Sequence, residues 1–390
     1  MDSKAAVRER FHEVRDQIID LSRRIHANPE LGFQEWLASR WLCDTLSGAG
    51  LEVETGVCGL PTAFVARVGS GPLHVAICAE YDSLPGIGHA CGHNLVAAIA
   101  VGAAIAAARV ADDLGLKLSV IGTPAEEVGD KAGKIVLLER GAFDGVHAAM
   151  MVHPAPVDLV EPAMIASSAF EVHFVGKEAH ACGFPELGVN AADAITIAQT
   201  AIGLLRQHIR LTDRIHGIVT CGGQAPNIVP AHTRAKYVVR ATTLRDLDEI
   251  RIKVLRCFEA GALATGAKLE IIGGHEPYAE MLHDHEIAAL YRRNAESLGR
   301  SFPQFPGMER ATASTDMGNV SLMVPAIHPM IGIDSLPAIN HQPEFAAHCV
   351  TPAADKAVVD GSLAMAWTLI DMAREGALRQ RLLSAGPEAA

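Results

Sequence analysis

A short segment of the chain, residues 88–94, reads GHACGHN and places two imidazoles and a thiol within five positions. The three side chains are those of His89, Cys91 and His93. In an extended loop, residues two apart point to the same side, so these groups can converge on one small volume. Such a set is typical either of a thiol nucleophile with an imidazole base or of a metal site.

Three predicted strands also end in carboxylate or imidazole side chains. They are 73–82, which ends in Glu80 and Asp82; 116–127, which ends in Glu126 and Glu127; and 146–154, which ends in His153. In open α/β sheets, ligands and catalytic groups gather beyond the carboxyl ends of the strands. We therefore expect these side chains to form one site.

The adjacent carboxylates Glu126 and Glu127 separate the two interpretations of the Cys91 segment. A thiol hydrolase would take His89 or His93 as its base, but it leaves this pair without a role. In a metal site, thiolate, imidazole and carboxylate are all ligands, and one carboxylate can bind metal while its neighbour takes a proton from bound water. The sequence favours hydrolysis at a metal centre, with a Cys91 thiol hydrolase as an alternative.

The composition limits the classes of partner and compartment. The chain has 390 residues, of which 49% are hydrophobic and 20% charged, which predicts a large core and two domains. A net charge of -12 without a basic run disfavours a nucleic acid partner. The eight scattered cysteines predict reduced thiols and a cytoplasmic protein. The longest apolar run, Leu95–Ala108, is shorter than the ~20 residues that cross a bilayer, so no membrane partner is expected.

The order of predicted elements divides the chain into two parts. Alternating strands and helices over 1–165 predict an α/β domain with a mixed sheet flanked by helices. Residues 166–275 follow the order strand, helix, strand, strand, helix, strand, which is that of a ferredoxin-like α+β module. We therefore predict a metal-binding domain made of 1–165 and 276–390, into which 166–275 is inserted. The polar tail over 375–390 is expected to fray.

Seven segments lie in the order and spacing of the M20 metallopeptidase family. They are AEYDSLPGIGHACGHNL, GTPAEE, MMVHPAP, GKEAHACGFPELGVNAADA, GGQAPNIVPAHTRAKYVVRATT, STDMGN and NHQPEF. The chain is most similar to the amidohydrolase branch, which includes aminoacylases, one of the two aminobenzoyl-glutamate hydrolase chains and M20-domain dipeptidases. The resemblance covers nearly the whole chain and implies a metallopeptidase-type catalytic domain with an inserted dimerisation domain.

This resemblance implies a centre of two divalent metal ions, with Zn, Mn and Co as candidates. The residues that match the family's metal ligands are Cys91, His93, Glu127, His153 and His341. Glu126 matches the general base, and Asp82 matches a carboxylate that orients a ligand histidine. Glu80 departs from the wider family, most of which has a histidine there, and we interpret it as a supporting residue.

The inserted domain is similar to one that mediates dimerisation in the family, which implies a homodimer. His180 matches a histidine that reaches the active site of the other protomer and stabilises the oxyanion of the tetrahedral intermediate. Asn227 and Arg240 match a pair that binds the substrate's carboxylate. An ordinary charge on a strand is an equal interpretation of Arg240. Asp316 either orients the late ligand or has a structural role.

The resemblance implies a metal-dependent amidohydrolase that cleaves N-acyl or N-aminobenzoyl amino acids with a free carboxylate, by attack of metal-bound hydroxide. Glu126 would take the water proton and return it to the leaving nitrogen. A dipeptidase that needs a free amino terminus is the alternative, which an acidic acyl pocket would favour and an apolar pocket would disfavour. A non-catalytic metal-binding relative is disfavoured because the base position is Glu126.

Overall fold

The computed structural model of the protein describes residues 2–303 and 312–385. The helices of this part are α1 (Ser3–Ala27), α2 (Trp36–Gly48), α3 (His93–Ala108), α4 (Gly133–Glu139), α5 (Ala191–Leu205), α6 (Leu244–Thr265), α7 (His285–Ser297), α8 (Met317–Ser321), α9 (Pro343–His348), α10 (Pro352–Arg374) and α11 (Gly376–Ala385). The strands are β1 (Glu52–Thr55), β2 (Phe64–Val68), β3 (Leu73–Ala79), β4 (Leu116–Gly122), β5 (Ala148–Met150), β6 (His153–Ala155), β7 (Ala166–Val175), β8 (Arg214–Cys221), β9 (His232–Ala241), β10 (Lys268–Gly273), β11 (Ala326–Ile327) and β12 (Met330–Gly332). Within the described ranges, no helix is long and apolar enough to cross a membrane.

A six-stranded mixed sheet in the order β1-β2-β4-β3-β5-β11 underlies the predicted site. Strands β4, β3, β5 and β11 are parallel, whereas β2 is antiparallel to both of its neighbours. All seven residues of β3 are buried, as in a strand that is covered on both faces. The parallel order brings the carboxyl ends of β3, β4 and β5 to one edge of the sheet, which confirms the mixed α/β sheet predicted from the sequence.

Helix α3 packs against this sheet and is buried along almost its whole length, from His93 to Ala107. Such a helix, hydrophobic on every face, is typical of the core of a large domain. The preceding residue, Gly92, has a φ of 85° and approaches Pro154 so closely that a Cβ would lie 2.5 Å from the Cγ of the proline. This tight turn places His93 at the start of the most buried helix, directly beside the end of β5.

A second sheet is antiparallel and has the order β10-β7-β9-β8. Helices α5 and α6 pack together on it, and aromatic side chains such as Phe170, Tyr237 and Phe258 fill a core of its own. The elements over residues 166–273 follow the order expected for a ferredoxin-like module, and we refer to them as the four-stranded module. Its boundaries as a separate domain and its role in dimerisation stay predictions.

Two segments differ from the sequence-based expectations. The strand predicted over 146–154 is divided into β5 and β6, and β6 pairs with β12 in a separate two-stranded sheet. The tail does not fray through residue 385, because it forms α11 and buries Leu378 and Leu382, which lie one helical turn apart. Residues 386–390 lie outside the described part of the chain.

The contact between α5 and α6 depends on a glycine, which gives a test of the packing. A Cβ at Gly261 would lie 2.3 Å from the backbone oxygen of Ala194 in α5. We expect Gly261→Ala to lower the free energy of unfolding by about 1–2 kcal/mol, because separating the helices costs more than the gain in helix propensity. Gly203→Ala is a matched control, since a Cβ there meets nothing within 4 Å. It should leave stability unchanged or raise it by up to ~1 kcal/mol. Chemical denaturation followed by circular dichroism compares them, and equal effects would contradict the packing.

Candidate metal centre

The structure gathers the five predicted metal ligands and the predicted base into one continuous cluster. Three overlapping sets can be defined in which one ligand atom of each member lies within 4.8 Å of the others. These sets are Cys91, His93 and His153; Cys91, Glu127 and His341; and His93, Glu126 and Glu127. Because the sets share members, all six side chains face the same small volume at the carboxyl ends of β3, β4 and β5.

Unusual backbone conformations aim these side chains. Ala125 has a left-handed φ of 60°, and its amide donates a hydrogen bond of 2.9 Å to the buried carboxylate of Glu35. This turn begins a short 3-10 segment that carries Glu126 and Glu127. A non-glycine residue adopts such a φ only when its surroundings hold it there, and outliers of this kind are common at functional sites.

The late ligand is held by a similar device. His341 has a φ of 70°, and its amide donates a hydrogen bond of 2.8 Å to the carbonyl of Ala90. The amide side chain of Asn340 adds a hydrogen bond of 3.3 Å to the carbonyl of Cys91. Two backbone carbonyls of the GHACGHN segment therefore fix a loop that lies some 250 residues later in the chain.

Hydrogen bonds to the far ring nitrogens show which atoms of the histidines are free to bind metal. His93 Nδ1 lies 2.9 Å from Asp82 Oδ1 and donates its proton to that carboxylate, which leaves Nε2 with a bare lone pair. His153 Nδ1 donates to the carbonyl of Pro154 at 2.8 Å, so its Nε2 is also unprotonated and lies 3.5 Å from Cys91 Sγ. A histidine held from behind by a carboxylate or carbonyl is the usual arrangement of a metal ligand.

The cluster leaves buried polar atoms that require a partner. His93 Nε2 and Glu127 Oε1 are buried and make no hydrogen bond within the described chain, although Glu80 Oε2 lies 3.3 Å from the former and His341 Nε2 lies 3.4 Å from the latter. Buried polar groups without partners are costly and rare. Imidazole, thiolate and carboxylate donors that face one another fit a divalent metal ion, which would satisfy these atoms.

The two adjacent glutamates have opposite electrostatic surroundings. Burial and the nearby carboxylates of Glu80 and Glu127 raise the pKa of Glu126 well above its usual value. Burial also acts to raise the pKa of Glu127, but the nearby imidazoles of His341 and His93 outweigh it, so that this pKa is lowered. Two neighbouring carboxyl groups whose environments separate their pKa values are typical of a pair with different roles. The contrast suits Glu126 as proton acceptor and Glu127 as ligand.

The geometry does not favour a thiol nucleophile. Burial and the carboxylate of Glu127 raise the pKa of Cys91 well above its usual value, whereas a catalytic cysteine requires a lowered one. His89, the first of the two candidate bases, is buried and stacks against His26 with ring centroids 6.1 Å apart. Burial lowers the pKa of His89 to about 3. Cys91 is therefore better suited as a metal ligand.

Residues that the sequence did not single out support the site. The hydroxyl of Tyr278 donates to the backbone carbonyl of Glu126 and accepts a 3.0 Å hydrogen bond from the amide of Gly129, which fixes the turn that carries the glutamates. Lys134 in α4 is fully buried and contacts the carboxylates of Glu80 and Asp316. The one sequence signal for Lys134 is a lysine at the start of the apolar run KIVLL.

His180 and Asn227 lie beside each other at one end of the four-stranded module, and both are exposed. The carbonyl of Asn227 accepts a hydrogen bond of 3.1 Å from the amide of Ala181. His180 Nδ1 accepts hydrogen bonds from the amides of Cys182 and Gly183, at 3.2 Å and 3.0 Å. This arrangement leaves the Nε2–H of His180 free to donate to another molecule.

Arg240 lies at the other end of the same module, near the metal centre. It donates a hydrogen bond of 2.9 Å to the hydroxyl of Ser314, and burial lowers its pKa while the charge of Glu126 opposes this effect. Because strand β9 rises ~3.3 Å per residue, Arg240 lies roughly 26 Å from His232 at its start. The structure therefore does not bring Asn227 and Arg240 together within one chain.

Comparison with known proteins agrees with the fold and the cluster. The model of Peptidase family M20/M25/M40 matches residues 76–356. The mouse (Mus musculus) protein Xaa-Arg dipeptidase is 35% identical over 96% of this chain and 90% of its own length. One of the two p-aminobenzoyl-glutamate hydrolase chains of Escherichia coli is 33% identical over 69% of this chain and 58% of its own length.

Solved structures show the same fold. A Bacillus subtilis protein described as a dinuclear metal-binding peptidase of the M20 family superposes with a TM-score of 0.68 at 21% identity, and the match covers 92% of this chain and 99% of that one. The chain belongs to peptidase family M20/M25/M40, as its seven motifs predicted. It is a hydrolase of peptide or amide bonds that uses divalent metal.

Proposed function

We propose that the protein is an amidohydrolase that cleaves the bond between an acyl or aminobenzoyl group and an amino acid with a free carboxylate. The observation that carries the proposal is the position of Glu126, whose carboxylate lies among the ligand atoms while its neighbour Glu127 provides the electron pair for metal. One free carboxylate at such a centre supports proton transfer and therefore hydrolysis.

We infer two divalent ions, held by five side chains. These are Cys91, His93, Glu127, His153 and His341. When bound, such ions acidify water and polarise a carbonyl. The thiolate and imidazoles favour Zn or Co, and the carboxylate is compatible with Mn. The Bacillus subtilis neighbour described as dinuclear supports the count.

The side chains of this protein then divide the remaining work. Glu126 holds the proton taken from water and delivers it to the leaving nitrogen. Asp82 keeps the ligand atoms in place, because Oδ1 accepts from His93 Nδ1 and Oδ2 accepts a 2.9 Å hydrogen bond from the amide of Glu127. Arg240 binds the carboxylate of the substrate, for which its planar guanidinium offers two parallel hydrogen bonds.

An apolar surface beside the glutamates supports an acyl substrate. Leu31, Phe33 and Val128 each remain more than a third exposed, and Gly32 between the first two packs so closely on Val128 that a Cβ would lie 2.9 Å from its Cγ1. The carboxylate of Glu35 beneath this surface already accepts hydrogen bonds from two backbone amides and from a threonine hydroxyl. The surface thus offers apolar contact rather than a carboxylate for a free ammonium.

A dipeptidase is the second candidate, since the mouse relative named Xaa-Arg dipeptidase matches 96% of this chain. The deciding experiment is a hydrolysis panel with the metal-reconstituted protein, in which N-acetyl, N-benzoyl and N-aminobenzoyl amino acids are compared with dipeptides and with C-terminal amides. We expect kcat/KM to be highest for the acyl substrates and to fall when the carboxylate is amidated. Faster cleavage of dipeptides would establish the second candidate, and no cleavage of any substrate would refute both.

We also propose a cytoplasmic homodimer in which His180 and Asn227 serve the active site of the other protomer. The distance of roughly 26 Å along β9 supports this arrangement, because one chain cannot bring these residues to its own Arg240. The free Nε2–H of His180 would donate to the carbonyl oxygen as negative charge develops there. All eight cysteines lie in the described part of the chain and are unpaired, as expected in a reducing compartment.

Mixing two inactive variants tests the shared site. Glu126→Gln and His180→Ala should each be nearly inactive, but protomers exchanged at equal amounts should recover about one quarter of wild-type turnover. Half of the dimers are then mixed, and one of their two sites has both groups intact. Exchange of His180→Ala with the double variant Glu126→Gln/His180→Ala is the control and should recover nothing. A recovery of zero in the first mixture would show that each chain uses its own His180.

A further inference from the structure

A fully buried cation lies directly behind the metal centre. Lys134 Nζ donates to Glu80 Oε1 and Asp316 Oδ1, both at 2.5 Å, and the backbone amide of Lys134 donates to Asp316 Oδ2 at 3.0 Å. All three side chains are at most 1% exposed. The three residues come from α4, from the end of β3 and from the residue before α8, so that the contact joins three separate parts of the chain.

The two carboxylates held by Lys134 face the reacting groups. One oxygen each of Glu80, Asp316 and Glu126 lie within 4.8 Å of one another. The other oxygen of Glu80 makes no hydrogen bond to any described residue and lies 3.3 Å from His93 Nε2, the ligand nitrogen. Each carboxylate that Lys134 holds is therefore a direct neighbour of the proposed base, and one of them is also a neighbour of a metal ligand.

The charges explain why a cation is needed at this position. Glu80, Asp316, Glu126 and Glu127 are four carboxyl groups in one buried volume, and Lys134 is the lysine that contacts two of them. A buried carboxylate without a partner is costly and turns toward water or takes up a proton instead. Removing the ammonium would leave Glu80 and Asp316 free to move toward Glu126 or away from it.

We propose that Lys134 is a positioning residue for hydrolysis, which acts through Glu80 and Asp316 on the placement of Glu126 and His93. Glu80, which departs from the histidine of the wider family, has a defined task in this arrangement as the link between Lys134 and the ligand nitrogen. The inference rests on the proposed function, because Glu126 and His93 matter in this way only in a hydrolytic metal centre.

The test compares Lys134→Met, which keeps the length of the side chain without its charge, with Lys131→Met. Lys131 lies three residues earlier, is largely exposed and pairs with Glu276 on the surface. We expect kcat of Lys134→Met to fall about 100-fold with KM within threefold of wild type, because a displacement of ~1 Å at a catalytic group has this effect. Lys131→Met should match wild type. Metal content and unfolding temperature are measured on the same samples.

A second variant covers the case in which Lys134→Met does not fold. Lys134→Met/Glu80→Gln removes one charge of each sign, so that the buried cluster keeps its net charge, but it also removes the anchor beside His93. We expect a folded, metal-loaded protein whose kcat remains at least tenfold below wild type. A kcat within threefold of wild type in either folded variant would overturn the proposal and leave Lys134 a purely structural role.

A spectroscopic measurement separates this proposal from the proposed function. The visible absorption of the Co²⁺-loaded protein reports the geometry of its ligands and requires no substrate. It should change in Lys134→Met and in the double variant but not in Lys131→Met, even where the wild-type protein cleaves none of the tested amides. An unchanged spectrum in both Lys134 variants would overturn the positioning role independently of any activity.

Discussion

Replacement of Glu126 by glutamine should reduce turnover about 10²- to 10⁴-fold while the protein remains folded and binds its metal. The amide has the shape of the carboxylate but accepts no proton, so that water near the metal centre loses its base. The turn that carries residue 126 should persist, because Tyr278 holds it through the backbone carbonyl rather than through the side chain. Metal analysis, circular dichroism and initial rates on the best substrate of the panel measure the three properties.

Glu127→Gln is the matched control, since it changes the neighbouring residue in the same way. Glu127 has an oxygen in the ligand cluster that no described residue hydrogen-bonds, so this variant should lose metal as well as activity. The two variants thus separate proton transfer from metal binding. A Glu126→Gln protein with full turnover, or one that loses metal to the same extent as Glu127→Gln, would contradict the assignment of the base.

The sequence predicted the parts of the site that follow from chain order. Parallel strands connected by helices place their carboxyl ends at one edge, and this rule alone brings together Glu127, His153 and the Cys91 segment. The position of His341 does not follow from it, because two hydrogen bonds to the GHACGHN segment hold the loop that carries this residue. Only the similarity of its NHQPEF segment to the family motif indicated it.

Contacts between distant polar residues could not be predicted in this way. Lys134 and Asp316 are separated by 182 positions, and a lysine next to an apolar run is ordinarily placed in solvent rather than between two buried acids. The pairing of Asn227 with Arg240 was an expectation from motif order, and order does not reveal that β9 separates them by its full length. Long-range geometry and buried charge pairing are therefore the properties for which the structure was required.

Removal of metal should abolish activity, and this loss distinguishes the metal centre from a Cys91 thiol hydrolase. Dialysis against a chelator leaves His93 Nε2 and Glu127 Oε1 buried without partners among the described residues, so we expect a lower unfolding temperature together with the loss of turnover. Addition of Zn²⁺, Mn²⁺ or Co²⁺ should restore both, and the ion that restores the highest kcat/KM identifies the preferred metal.

Alkylation gives the complementary measurement, because a metal ion protects a thiolate ligand. Iodoacetamide should modify Cys91 slowly in the loaded protein and faster after chelation, as followed by mass spectrometry of the peptide that contains it. Cys182, which is exposed and outside the cluster, is the internal control and should react at the same rate in both states. Activity that survives the chelator and disappears on alkylation of Cys91 would instead establish the thiol as the nucleophile, since no other arrangement of this cluster requires the sulfur but not the metal.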